Sequence, residues 1–176
     1  MAKNDIKKIA IIGAESTGKT WLCEALARHY QTVWVPEYAR EYFNDSGLYN
    51  FTLDDLVIIA AQQIALEEAL MKKAVNFLFC DTTLITLKIW AEVEFNEVPL
   101  FIGEQLLKIK YDHYFITNNE IAWQADALRE NKHSRNLLFE MNAEAVKRIG
   151  GSYSVIKGTE GDRLKSALTI VESLRR

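Results

Sequence analysis

Apolar runs and amphipathic stretches alternate five times along this chain. Ile6 to Ile12 is rich in isoleucine and stops at Gly13, the form of a strand buried in a parallel sheet. Beyond Gly18, Trp21, Leu22, Ala25, Leu26 and His29 recur at three- and four-residue spacing and predict a helix. Thr32 to Val35 predicts a short second strand ending at Pro36, which has no donor for a ladder, and the segment from there to Phe51 reads as partly loop. Leu53, Leu56, Val57, Ala60 and Ile64 form the stripe of a long helix, with Thr52 as N-cap, Asp54 and Asp55 in its first turn, and an end near Lys72 and Lys73. Asn76 to Cys80 predicts a third buried strand closing at Asp81, and helices follow around Leu84 to Glu94 and Leu100 to Lys110, on either side of Pro99. His113 to Thr117 predicts a fourth strand, then a polar segment runs from Asn118 to Arg135 and a helix continues to about Ile149. Gly150 and Gly151 break it, Tyr153 to Ile156 predicts a fifth strand, and Asp162 to Leu174 a last helix.

This order predicts an α/β fold: a five-stranded, mostly parallel sheet with helices on both faces. No internal repeat, linker or low-complexity tract interrupts it, so residues 1–176 are expected to form one domain, with a short lid at about 118–135. Apolar residues make up 49 % and charged residues 26 %, enough for a real core and against disorder. The formal net charge of −3 argues against a general nucleic-acid binder, so any phosphate must be met by a local cluster of basic residues. Cys23 and Cys80 fall in no CxxC or Cys/His cluster, which excludes a disulfide framework and a structural zinc site of the usual spacing. The longest apolar runs are far short of the roughly 18 residues a spanning helix needs, and no signal peptide is legible, so the expectation is a cytoplasmic protein with no membrane partner.

Gly13-Ala14-Glu15-Ser16-Thr17-Gly18-Lys19-Thr20 satisfies GxxxxGK[ST] between a predicted strand and a predicted helix, the context a phosphate-binding loop requires. It places the chain in the P-loop NTPase fold. The glycines let successive backbone N–H groups point inward at phosphate oxygens, and the helix N-terminus adds its partial positive charge. Lys19 is expected to reach the β- and γ-phosphates of ATP, Thr20 to offer its hydroxyl to Mg²⁺, and Trp21 joins the nucleotide-contacting set. No Asn-Lys-x-Asp follows Thr117 or Ile156, against a regulatory GTPase, and the length disfavours an oligomeric motor; small-molecule kinases remain.

Acids at the carboxyl ends of strands face the crevice of a doubly wound sheet. Glu37, after the second strand, is the candidate base that takes or orients the acceptor hydroxyl, and Asp81, closing the third, is the candidate Mg²⁺ acid, although the two roles are exchangeable. Arg40, three residues after Glu37, would face the same substrate if that piece is helical, or simply pair with it. In the predicted lid Arg129, Lys132 and Arg135 recur every three residues as a basic edge, or a solvated helix face, and the arginines would neutralise charge on the transferring phosphoryl group. Trp34, Trp90, Trp123, Tyr38 and Tyr42 are candidates to stack on a flat ring; Trp34 and Trp90, on apolar elements, read more readily as core, and Trp123, beside the basic segment, is the better candidate. Lys157 to Arg163 is either an adenine-wrapping turn, with Arg163 on the nucleotide, or an ordinary strand-to-helix turn with Asp162 as cap.

Together the phosphate loop, Val35-Pro36-Glu37-Tyr38-Ala39-Arg40-Glu41, Asp81-Thr82-Thr83, Tyr111-Asp112 and Trp123-x-x-Asp126-x-x-Arg129 make the chain resemble the ribosylnicotinamide kinase domain of NadR-type NAD-biosynthesis proteins. The resemblance implies transfer of the γ-phosphoryl of ATP to the 5′-hydroxyl of nicotinamide riboside, giving the mononucleotide and ADP. It implies that Trp123 and Asp126 belong to the substrate set with Glu37, Arg40 and Tyr42, an aromatic lid residue suiting a flat, cationic ring. It covers the kinase alone and implies neither adenylyl transfer nor DNA-binding regulation. Ala122 and Ala127 stand where the family usually has proline and glycine. The alternatives to this reading are a kinase for another nucleoside or small metabolite, and a P-loop ATPase acting as a binding switch.

Overall fold

β1 (Lys7–Gly13) runs through the middle of a five-stranded sheet, with β3 (Phe77–Asp81) on one side and β4 (His113–Thr117) on the other. β2 (Trp34–Val35) lies outside β3 and β5 (Tyr153–Ile156) outside β4, and every pairing among these strands is parallel. The computed structural model describes residues 6–46, 50–120 and 135–175.

The sheet is covered on both faces, which is why its central strands read as unbroken apolar runs rather than alternating ones. Ile9 and Ile11 of β1 turn to one face, where Leu22 and Leu26 of α1 (Lys19–Tyr30) and Ala167 and Val171 of α7 (Glu160–Ser173) close over Phe77, Phe79 and Phe115. Ala10 and Ile12, one residue out of step, turn to the other face, against Ile85 and Ile89 of α4 (Leu84–Phe95) and Leu138 and Val146 of α6 (Arg135–Arg148). α3 (Leu53–Met71) starts on a capping box, Thr52 accepting from the Asp55 amide and Asp55 from the Thr52 amide. α5 (Leu100–Lys108) follows Pro99. Below the sheet, Glu67 of α3 is 5 % exposed and is held by Lys8 Nζ at 3.0 Å and the Tyr111 hydroxyl at 2.7 Å. The Lys8 ammonium also lies 4.1 Å from the centroid of the Tyr111 ring.

Of the boundaries that differ from the sequence expectation, two have a clear physical cause. The piece after Pro36, read as partly loop, forms α2 (Tyr38–Ser46), because Ala39 and Phe43, four residues apart, bury one face against Leu56, Ile59 and Ala60 of α3. α7 begins at Glu160 rather than Asp162: Thr159 is its N-cap and Asp162 its N3 partner in a second capping box. Among the described residues no helix is long and apolar enough to cross a membrane, and Cys23 and Cys80 are buried free thiols.

Candidate active site

β1 delivers the chain to the phosphate loop at Gly13, whose φ of +141° and close approach to β4 both require glycine; a Cβ there would stand 2.6 Å from Thr117 Oγ1 and 2.9 Å from the Thr117 carbonyl oxygen. Inside the loop, Thr17 Oγ1 donates to the Ala14 carbonyl at 2.7 Å and lies 2.6 Å from Thr117 Oγ1, tying the curl to the strand beside it. Gly18 takes the left-handed conformation as N-cap of α1, whose first N–H groups have no partner within the helix and so face the loop's hollow. Lys19 Nζ donates to the Gly13 and Ala14 carbonyls at 3.2 and 2.9 Å, folded back over the loop it would leave to meet a phosphate.

Among the described residues, Arg135 and Arg163 reach this loop. Arg135, at the start of α6, places a guanidinium nitrogen 3.4 Å from the Ser16 carbonyl oxygen. Arg163 is 1 % exposed and donates to three carbonyls, Gly158 through Nε at 2.8 Å, Thr17 through Nη1 at 2.7 Å and Asn118 through Nη2 at 2.9 Å. The expectation that Arg163 sits on the nucleotide is therefore corrected. It lies behind the loop and holds backbone from three segments, which leaves its guanidinium no exposed face for a ligand.

The acids converge at the carboxyl ends of β2 and β3. Thr20 Oγ1 donates to Asp81 Oδ2 at 2.5 Å, and Asp81 is 1 % exposed. Burial pushes the Asp81 carboxyl up to about 6, the charge of Glu37 adding to it and Lys19, the Thr20 hydroxyl and Arg40 opposing. Glu37, just before α2, pairs with Arg40 Nε at 3.0 Å, so the ion-pair alternative is the one seen, and both residues line the cleft. Gln63, buried on α3, fixes the backbone on both sides of Glu37: its Oε1 accepts from the Tyr38 amide at 2.8 Å and its Nε2 donates to the Pro36 carbonyl at 3.3 Å.

A cleft opens between these groups. Gly13, Ala14, Glu15 and Lys19 form its floor and Glu37 and Arg40 one side. The rest of its wall comes from Thr86, Ile89 and Trp90 of α4 with Leu138 and Asn142 of α6. Of these wall residues only Trp90 is offered by the sequence, as a stacking candidate that reads more readily as core; it is half-buried, packs on Phe51 and also lines the cleft. Trp34 packs against the core under α1, as expected of it. Trp21 packs there too, partly buried. Tyr42 gives its hydroxyl to Asp55 and packs its ring on Tyr38 and Phe43, and it is not among the described residues lining the cleft. Trp123, Asp126, Arg129 and Lys132, like most of the predicted lid, lie outside the described residues.

The donor set suits a hard divalent ion held mainly by phosphate: one hydroxyl and one carboxylate, Thr20 and Asp81, at the mouth of the loop. No group of three or more His, Cys, Asp or Glu that could hold a metal by itself occurs among the described residues.

The AAA domain family matches residues 8–163. The trifunctional NAD biosynthesis/regulator protein NadR of Salmonella typhimurium is 29 % identical over 152 residues, covering 79 % of this chain and 36 % of that protein. NadR of Escherichia coli K12 is 30 % identical over 149 residues with the same coverage, 79 % and 36 %, so this chain spans about a third of the length of these relatives. Among solved structures, NadR in complex with NR superposes with a TM-score of 0.80 at 22 % identity, over 97 % of this chain and 52 % of that one. Deoxyadenosine kinase from M. mycoides with bound dATP gives 0.56 at 15 % identity, over 94 % and 99 %. The fold is that of the P-loop kinases.

Proposed function

This chain belongs to the AAA domain family, and from that premise we propose that it is an ATP-dependent kinase that transfers the γ-phosphoryl group to the 5′-hydroxyl of nicotinamide riboside, giving nicotinamide mononucleotide and ADP. One observation carries the reading. Gly13, Ala14, Glu15 and Lys19 of the phosphate loop line one cleft with Glu37, Arg40 and Trp90, and Asp81 meets the end of the loop through Thr20, an arrangement that would suit a phosphate donor beside a flat acceptor. The likeness to NadR, a protein solved with NR and with NAD and AMP-PNP, supports the choice of acceptor.

In this mechanism the loop amides and Lys19 hold the β- and γ-phosphates, and Lys19 exchanges its two loop carbonyls for phosphate oxygens. Thr20 and Asp81 would hold Mg²⁺, which when bound draws charge from the phosphate oxygens. Glu37 accepts the proton of the acceptor hydroxyl as that oxygen attacks phosphorus and the bond to the ADP oxygen breaks; Arg40 holds the Glu37 carboxylate in place through their ion pair. Arg135 at the loop, and Arg129 from the lid, take up charge on the transferring group.

The test is Glu37→Gln with product detection by mass spectrometry. Transfer to nicotinamide riboside is expected to fall by about 10²- to 10⁴-fold with ATP affinity retained. Normal transfer by the variant removes Glu37 from its role, and wild-type ATP turnover that responds to no nucleoside overturns the kinase reading.

A further inference from the structure

Two side-chain atoms at the cleft wall are buried with no hydrogen-bond partner: Thr86 Oγ1 on α4 and Asn142 Oδ1 on α6. Thr86 is 7 % exposed and Asn142 3 %, and both residues line the cleft that begins at the phosphate loop. Buried polar atoms are almost always paired, because a group that has lost water and gained nothing destabilises the fold. Two such atoms on facing helices at one cleft mark the place of an absent partner.

The chemistry of that partner follows from the donors and acceptors. Asn142 Nδ2 donates to the Leu138 carbonyl at 2.7 Å, which fixes the amide and leaves Oδ1 as a pure acceptor. Thr86 carries one O–H donor. Trp90, one helical turn after Thr86, adds a flat apolar surface to the same wall. The complement is a flat ring bearing an N–H donor next to a carbonyl or ring-nitrogen acceptor.

Resting on the kinase reading above, we propose that Thr86 and Asn142 select the phosphoryl acceptor: the acceptor's ring lies on Trp90, an N–H of its primary carboxamide is given to Asn142 Oδ1, and the carboxamide oxygen accepts from the Thr86 hydroxyl. A carboxylate in the same place presents a second acceptor to Asn142 Oδ1 and is rejected.

The experiment compares pyridinium ribosides differing only in carboxamide or carboxylate, with wild type, Thr86→Val and Asn142→Ala. Wild type is expected to favour the carboxamide at least 10-fold in kcat/KM. Each variant is expected to raise the carboxamide KM by about 5- to 20-fold, leave the ATP KM unchanged and shrink the preference. Thr86→Val is also expected to melt no lower than wild type without ligand, since it removes an unpaired buried hydroxyl, an outcome a purely structural threonine would not give. An unchanged carboxamide KM and an unchanged preference in both variants overturn the proposal. If wild type phosphorylates neither riboside, the kinase reading fails instead, and thermal-shift binding of the same two ribosides decides: no greater shift with the carboxamide overturns the pairing.

Discussion

Arg163→Met separates two ways in which an arginine can serve a phosphate loop. The wild-type guanidinium donates to the Thr17, Asn118 and Gly158 carbonyls from a site 1 % exposed, and methionine fills much of the volume but pairs none of them. A hydrogen bond from a charged group is worth about 1.5–3 kcal/mol, so three would sum to about 5–9 kcal/mol; recovering the desolvation cost of the buried cation brings the expected loss to about 3–5 kcal/mol. For a chain of this size that lowers Tm by about 6–20 °C. Urea denaturation followed by circular dichroism should show a lower midpoint with an unchanged slope. ATP affinity should fall as well, because the Thr17 carbonyl belongs to the loop, and Arg163→Lys, which can serve fewer carbonyls, should fall between. An arginine that met the nucleotide directly would behave the other way. A wild-type midpoint combined with lost ATP affinity would refute the positioning role.

The Asp81 carboxyl is raised to about 6, above its ordinary 3.8, so folding favours its protonated form: the stability it contributes is complete below the unfolded value and is lost as pH rises through about 6. Without metal, Asp81→Asn should therefore melt higher than wild type at pH 7.5 and by a smaller margin at pH 5, while wild-type affinity for ATP with Mg²⁺ weakens on acidification through about 6; a margin that does not change with pH counts against the assignment. Gln63→Leu frees the backbone on both sides of Glu37 and should lower kcat about 10-fold with the ATP KM unchanged, at a stability cost of about 1–3 kcal/mol; equal loss in both kinetic constants would mean general distortion. Glu67→Leu strands Lys8 and should cost about 3–5 kcal/mol in urea titration, whereas adding Lys8→Met should restore most of it; additive losses would show that the pair carries no coupling.

What was legible in the sequence follows from how each half of the cleft reads its ligand. The phosphate half is read by backbone, and a backbone that must curl inward needs residues of restricted type: Gly13 packed against Thr117, Gly18 in the left-handed region, Lys19 and Thr20 at fixed offsets. Those constraints leave a spaced pattern that survives without coordinates. Glu37 and Asp81 were legible because strand ends in a parallel sheet point at the crevice whatever the side chain. Arg163 was misassigned because a charge in a sequence does not say which partners surround it, and here they are carbonyls.

The other half is read by side-chain tips, and these carry no such mark. α4 buries Leu84, Ile85, Thr86, Leu87, Ile89 and Ala91 on nearly every side, so its pattern has no stripe to separate the cleft face from the core face, and Trp90 reads as one more core residue. Asn142 is an unremarked polar residue of α6 until its carbonyl neighbour fixes which way its amide points. Gln63 and Glu67 did leave a trace, two polar residues four apart on the stripe of Ile59 and Ala60, which is the mark of buried polar groups with assigned partners. On the proposed reading, phosphoryl transfer rests on a motif whose chemistry is the same for every acceptor, while the acceptor is chosen by threonine, asparagine and tryptophan side chains that any helix can carry. Changing the acceptor would need only the α4 and α6 wall to change, with the loop, Asp81 and Arg163 left as they are, and a swap of Thr86 and Asn142 should move acceptor preference without moving ATP affinity.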